Sequence, residues 1–131
     1  MKIVLLLVLI SSALSKKIPD RVHEVWGQLI APYSDECVES SKVNPHQVKN
    51  MLTHMHVPNN EQFHDYIKCI YEKLEMLKPD GNFNEELILS KAHYLTKDFL
   101  IRCIKNAELE QNLSKKSYIL CNCVVEGLVV D

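Results

Sequence analysis

Five cysteines, Cys37, Cys69, Cys103, Cys121 and Cys123, follow an N-terminal stretch with the make-up of a secretory leader. Together these two features constrain the fold more than anything else in the chain. Lys2 gives a positive start, Ile3 to Ile10 is an unbroken apolar run, and Ala13-Leu14-Ser15 supplies the small residues of an A-x-A-like cleavage site. The run is too short to span a bilayer. Residues 1–15 are therefore expected to be a signal peptide, and residues 16–131 a single secreted, extracellular domain. Outside the cell, thiols that reach each other oxidise. Five cysteines allow two bridges and one leftover thiol, and fifteen patterns are open from the sequence alone. Each bridge would close a loop of roughly twenty to thirty residues, worth about 3–4 kcal/mol in chain-entropy terms.

The remaining residues suffice for one domain with a real core. Of the 15 basic and 17 acidic side chains, the leader holds only Lys2, so the rest carries a small net negative charge. A nucleic-acid partner would require a basic stripe, and none is present. The apolar pattern is helical throughout. Val22, Val25, Trp26, Leu29 and Ile30 form a stripe that Pro32 interrupts, and a second piece from Ser34 to Ser41 carries Cys37. Asn44-Pro45 starts a short helix with Val48, Met51 and Leu52 inward. The central helix, capped by Asn59 or Asn60, is predicted to run to about Lys78. Phe63, Ile67, Ile70, Leu74 and Leu77 line one face of it, with Cys69 just off that face. Pro79-Asp80-Gly81-Asn82 reads as a turn. A helix over residues 84–94 follows. The next is capped by Thr96, with Phe99, Leu100, Cys103, Ile104 and Ala107 on one face. The last is capped by Ser114, with Ser117, Leu120, Cys121, Val124 and Val125 inward, and is stopped by Gly127. No stretch shows period-two alternation, so the fold class is all-α, with five or six helices of modest length.

Catalytic and metal motifs fare poorly. His64-Asp65 before Tyr66 matches the catalytic pair of secreted phospholipases A2, but the cysteines and Gly-rich calcium loop that family needs are absent. In Asp80-Gly81-Asn82-Phe83-Asn84-Glu85-Glu86 the glycine comes too early for an EF-hand. His46, His54, His56 and His64 lie close in sequence without a H-E-x-x-H helix or a CxxC pair, so no metal or other cofactor is expected. Their milder role would be a proton switch. No G-x-S-x-G turn is available to mount a nucleophile, and the chain is not expected to be an enzyme. Asn112-Leu113-Ser114 is the one glycosylation sequon, which makes Asn112 a candidate acceptor. The apolar content, 47% of the chain, is the more informative feature. Trp26, Met51, Met55, Tyr66, Ile70, Leu74, Leu87, Tyr94, Phe99, Ile104, Tyr118 and Val125 are the candidate lining of an internal apolar pocket. Large aromatic and aliphatic groups and adaptable methionines suit such a site.

The cysteine spacing resembles that of the insect odorant-binding proteins, which include the pheromone-binding proteins. Members are secreted, of about this size, and built of six helices around an apolar pocket. Their six cysteines usually pair first to third, second to fifth and fourth to sixth. Cys37 fits the first and Cys69, in Tyr-Ile-Lys-Cys-Ile-Tyr-Glu-Lys-Leu, the third; Cys103 fits the fourth. Ser117-Tyr118 before Cys123 resembles the small-aromatic pair that precedes the sixth. The second and fifth positions then fall on Asp65 and Ser114, so both partners of one bridge are missing together, as in the four-cysteine "minus-C" subgroup. Alternatively Cys121 is the sixth, with the fifth at Asn112.

The resemblance implies a compact six-helix fold with two disulfides, Cys37 to Cys69 and Cys103 to Cys123, leaving Cys121 as a free thiol. It implies a carrier that reversibly binds small hydrophobic ligands: odorants, pheromone-like alcohols, esters or aldehydes, and fatty acids. Tyr66, Tyr94, Tyr118 and His93 are candidates to orient a polar head. An olfactory receptor or other membrane protein is the implied onward partner, and a monomer or weak homodimer the implied state. The alternative is a venom, salivary or seminal effector on the same scaffold, acting through a protein or membrane. Asp65 and Ser114 would face each other across the missing bridge, either hydrogen-bonded or with Asp65 solvated.

Overall fold

The computed structural model of the chain describes residues 18–54 and 56–129. The proposed signal peptide and Met55 lie outside the described residues. Among the described residues seven helices follow one another: α1 (Asp20–Ile30), α2 (Ser34–Ser41), α3 (Pro45–Thr53), α4 (Glu61–Lys73), α5 (Glu85–Lys91), α6 (Lys97–Ala107) and α7 (Leu113–Leu128). The fold is all-α, and no strand occurs among the described residues; Leu77 and Phe83 form a single isolated β-bridge. The count exceeds the expected five or six because the segment through Pro32 divides into two helices joined by a turn at residues 31–33.

Local chemistry sets most helix starts. The side chains of Asn44, Asn60, Asn84 and Thr96 each accept from a backbone N–H in the first turn of the helix that follows. For α7 the cap is Asn112, which accepts from the N–H of Lys115, and not Ser114. Ser114 has another partner, described below. The central helix is also shorter than predicted. It ends at Lys73 because Glu75 adopts a left-handed conformation (φ 63°), and the N–H groups of Met76 and Leu77 both donate to the Tyr71 carbonyl. The α5 helix likewise stops at Lys91, with Ala92 as its C-cap. Between α4 and α5 the Pro79–Asn82 turn forms as expected. Gly81 takes φ 88° and donates to the Lys78 carbonyl, while Asn82 N–H donates to the Asp80 carboxylate.

Gly127 does not end α7; it lies inside its last turn. A Cβ there would collide with Phe99 Cζ, so the glycine makes room for an aromatic ring of α6 on the helix backbone.

The core is arranged around α4, whose Phe63, Tyr66, Ile67, Ile70 and Tyr71 are buried. Its most extensive partner is α7; α6 packs on α7, and α2 on α4. Three cross-links follow this order. Cys37–Cys69 joins α2 to α4, and Cys103–Cys123 joins α6 to α7. Between α4 and α7, Ser114 Oγ donates to Asp65 Oδ1 at 2.6 Å. The first two links close loops of 32 and 20 residues, worth about 4 and about 3 kcal/mol. The third is a hydrogen bond worth about 1 kcal/mol. A buried lysine adds a further tie: Lys116 Nζ donates to the Gly81 carbonyl at 2.6 Å and lies over the Phe83 ring, holding the turn against α7.

Candidate functional site

An apolar cavity of about 50 Å³ lies where α1, α3 and α7 meet Tyr71 of α4. Ile18 and α1 residues Val22 and Trp26 form one wall, and Met51 of α3 closes a second. Tyr71 projects from α4 and Met76 from the segment after it. Ile88 comes from α5, Ala92, Tyr94 and Leu95 from the link that follows, and Leu100 from α6. The α7 helix supplies the floor with Leu120, Cys121, Val124, Val125 and Leu128. Trp26, Tyr71 and Phe83 form an edge-to-face aromatic row, with centroids 6.3 and 6.2 Å apart, that backs one side of the site. A wider hollow of about 430 Å³ between α6 and α7 is open to solvent and walled as much by Asn106, Asn122 and Glu126 as by apolar groups. It does not enclose hydrocarbon, so the buried cavity is the better site despite its smaller volume.

Of the twelve residues singled out from the sequence, Trp26, Met51, Tyr94 and Val125 stand in the cavity wall. Tyr66, Ile70, Leu74, Leu87, Phe99, Ile104 and Tyr118 do not. Tyr66, Ile70 and Leu74 belong to the buried interior around α4 and do not border the cavity. The Tyr66 hydroxyl is taken up by Ser34 Oγ at 2.9 Å, so it is not available to a ligand. Phe99 turns outward over Gly127, and Tyr118 stacks on His64 with ring centroids 4.4 Å apart. Ile104 packs half-buried against the core, and Leu87 is half-buried on α5. His93 is exposed. The main omission is Tyr71. A row at every fourth residue, Phe63, Ile67 and Tyr71, marked it as buried, but nothing local marked it as facing a void.

Cys121 is the free cysteine, and its sulfur lies in the cavity wall. Its thiol points at Met51 Sδ 3.9 Å away. Burial pushes its pKa up to about 12, partly offset by a hydrogen bond with Tyr71. A thiol held protonated is a poor nucleophile. Iodoacetamide at about pH 8 is therefore expected to leave Cys121 unmodified in the folded protein and to add one label once the chain is unfolded without reductant. Mass spectrometry reads both states, and labelling of the folded protein would contradict the burial.

Ser114, Asp65 and His64 share a neighbourhood but not a relay. Ser114 bonds Asp65 directly, and His64 Nε2 lies 2.8 Å from Asn59 Oδ1. Partial burial lowers the His64 pKa below 6.5, against the opposing pull of Asp65 and with the help of Lys115. The folded chain thus favours neutral His64. That contribution to stability is present above the unfolded value and is lost as pH falls below it. Urea midpoints are expected to drop more between about pH 7 and about pH 5 for the parent chain than for His64→Gln. Parallel curves would show that His64 is not the group involved. Asn112, the sequon residue, is exposed.

A sequence model of the PBP/GOBP family, the pheromone- and general odorant-binding proteins, matches residues 22–127. The chain belongs to the PBP/GOBP family. Searches of curated proteins and of solved structures returned no match. Members of this family are secreted carriers of small odorant or pheromone molecules rather than enzymes. An all-helical, disulfide-linked chain around an apolar cavity agrees with that membership. No described helix is long and apolar enough to cross a membrane.

Proposed function

We propose that this protein, freed of a signal peptide at residues 1–15, is an extracellular carrier that reversibly takes small hydrophobic molecules into the cavity between α1, α3 and α7. The almost wholly apolar wall carries this reading. Hydrocarbon transferred there gains about 25 cal/mol per Å² of surface removed from water.

The volume adds a condition. A dry protein cavity that binds benzene measures about 150 Å³, whereas this one measures about 50 Å³. Occupation by an odorant-sized molecule therefore requires the wall to move. The two disulfides fix α2 to α4 and α6 to α7, so the yielding parts are α1, α3 and α5, which neither disulfide holds. Met51 and Met76 have the rotatable side chains to make the first adjustments.

Asp65 and Ser114 occupy the positions of one bridge of six-cysteine relatives, which supports placing the chain in the four-cysteine subgroup. With a hydrogen bond in place of that bridge, the site is expected to accept a broader range of shapes than a triply bridged relative. Odorants, pheromone-like alcohols, esters and aldehydes, and fatty acids are the proposed cargo, an olfactory receptor or other membrane protein the proposed recipient, and a monomer or weak homodimer the proposed state.

Trp26 is the sole tryptophan and stands in the wall, which gives a direct test. Titration with N-phenyl-1-naphthylamine is expected to quench Trp26 emission as probe fluorescence rises, and a volatile alcohol should reverse both. Absence of probe uptake would sink the carrier reading.

A further inference from the structure

Three residues with a polar group stand in the cavity wall: Tyr71, Tyr94 and Cys121. The wall contains no Lys, Arg, His, Asp or Glu among the described residues. Tyr71 and Cys121 are occupied with each other by hydrogen bonding, and the thiol also faces Met51. The Tyr94 hydroxyl makes no hydrogen bond among the described residues, which leaves it as the donor available to a guest.

We propose that the cavity discriminates by charge, accepting uncharged molecules with an oxygen acceptor and rejecting carboxylates of the same chain length, with the Tyr94 hydroxyl donating to the guest's oxygen. This rests on the carrier reading and narrows it: fatty acids, which the family resemblance allows, are excluded in their ionised form. The physical reason is the price of burying charge. A carbonyl or hydroxyl loses its water and regains one hydrogen bond from Tyr94. A carboxylate loses far more hydration and finds no cation among the described wall residues to replace it. The wall's own groups report the same environment. Burial pushes Tyr94 and Cys121 each up to about 12 and raises Tyr71 well above the ordinary phenol range, so the site disfavours negative charge on its own phenols and thiol.

Hexanal, hexanol and hexanoate share one alkyl chain and separate the head group from the rest. Competition against N-phenyl-1-naphthylamine on the secreted chain at neutral pH is expected to rank hexanal and hexanol at least about thirtyfold above hexanoate. Lowering the pH below the acid's own pKa should close that gap while the hexanol affinity serves as the control for the protein. Tyr94→Phe is expected to weaken hexanal about fivefold to tenfold and to leave toluene, which has no acceptor, unchanged. Equal binding of hexanoate and hexanal at neutral pH would overturn the proposal and leave the carrier reading standing. So would a Tyr94→Phe variant with undiminished hexanal affinity. If neither the probe nor any of the compounds binds, the carrier reading itself fails and this proposal fails with it.

Discussion

Asp65→Cys combined with Ser114→Cys is expected to close a third disulfide and to stabilise the protein by about 3 kcal/mol. The two residues already meet across α4 and α7, with Ser114 Oγ donating to Asp65 Oδ1 at 2.6 Å. A bridge there would close a loop of 49 residues, worth about 4 kcal/mol in the unfolded-state entropy model. The hydrogen bond it replaces gives back about 1 kcal/mol. The melting temperature should rise on the order of 10 °C. Cys121 is buried and remote enough from reaction that it should not compete for the new thiols. Non-reducing mass mapping reads the bridge, and urea unfolding reads the gain. Absence of a third bridge would mean that the cysteine register is misassigned, with Cys121 and Asn112 the positions to reconsider. The same variant bears on plasticity: locking α4 to α7 should narrow the range of molecules that displace the probe.

Ala92→Leu should remove binding with little loss of stability. Ala92 is buried in the cavity wall, at the C-terminus of α5. Its replacement adds three carbons, enough to fill a void of about 50 Å³. Filling a cavity gains contacts that the wall otherwise lacks, so the stability change should stay within about 1 kcal/mol of the parent. Probe affinity is expected to fall more than about tenfold, because the guest must now displace a packed side chain as well as open the wall. A variant that folds normally and binds the probe as before would place the binding site elsewhere. The open hollow over Phe99 and Tyr118 would then be the next candidate.

What could be read from the sequence was what neighbours along the chain decide. Asn44, Asn60, Asn84 and Thr96 announce helix starts because their side chains reach N–H groups two or three residues on. The Pro79–Asn82 turn follows from a fixed φ and a glycine able to take a positive one. The stripe in α4 follows from helical periodicity, and the all-α class from the absence of any other period. Where local signals competed, the reading slipped. Ser114 is a sound cap by composition, but its hydroxyl is bound to Asp65, and Asn112 takes the capping role. Gly127 looked like a stop signal, yet it owes its place to the Phe99 ring lying against it from another helix.

The cavity belongs to the tertiary structure alone. Periodicity tells which face of a helix turns inward, but not whether the space it meets is filled. Tyr66 and Tyr71 lie five residues apart on α4 and are both buried. Tyr66 is spent on Ser34 within the packed interior, while Tyr71 borders the void. That difference depends on how closely α1, α3, α5 and α7 approach each other, a distance set by side chains far apart in the chain. The five cysteines narrowed the fold from the sequence by restricting which helices could be joined. Packing decided where, between those joined helices, room was left for a guest.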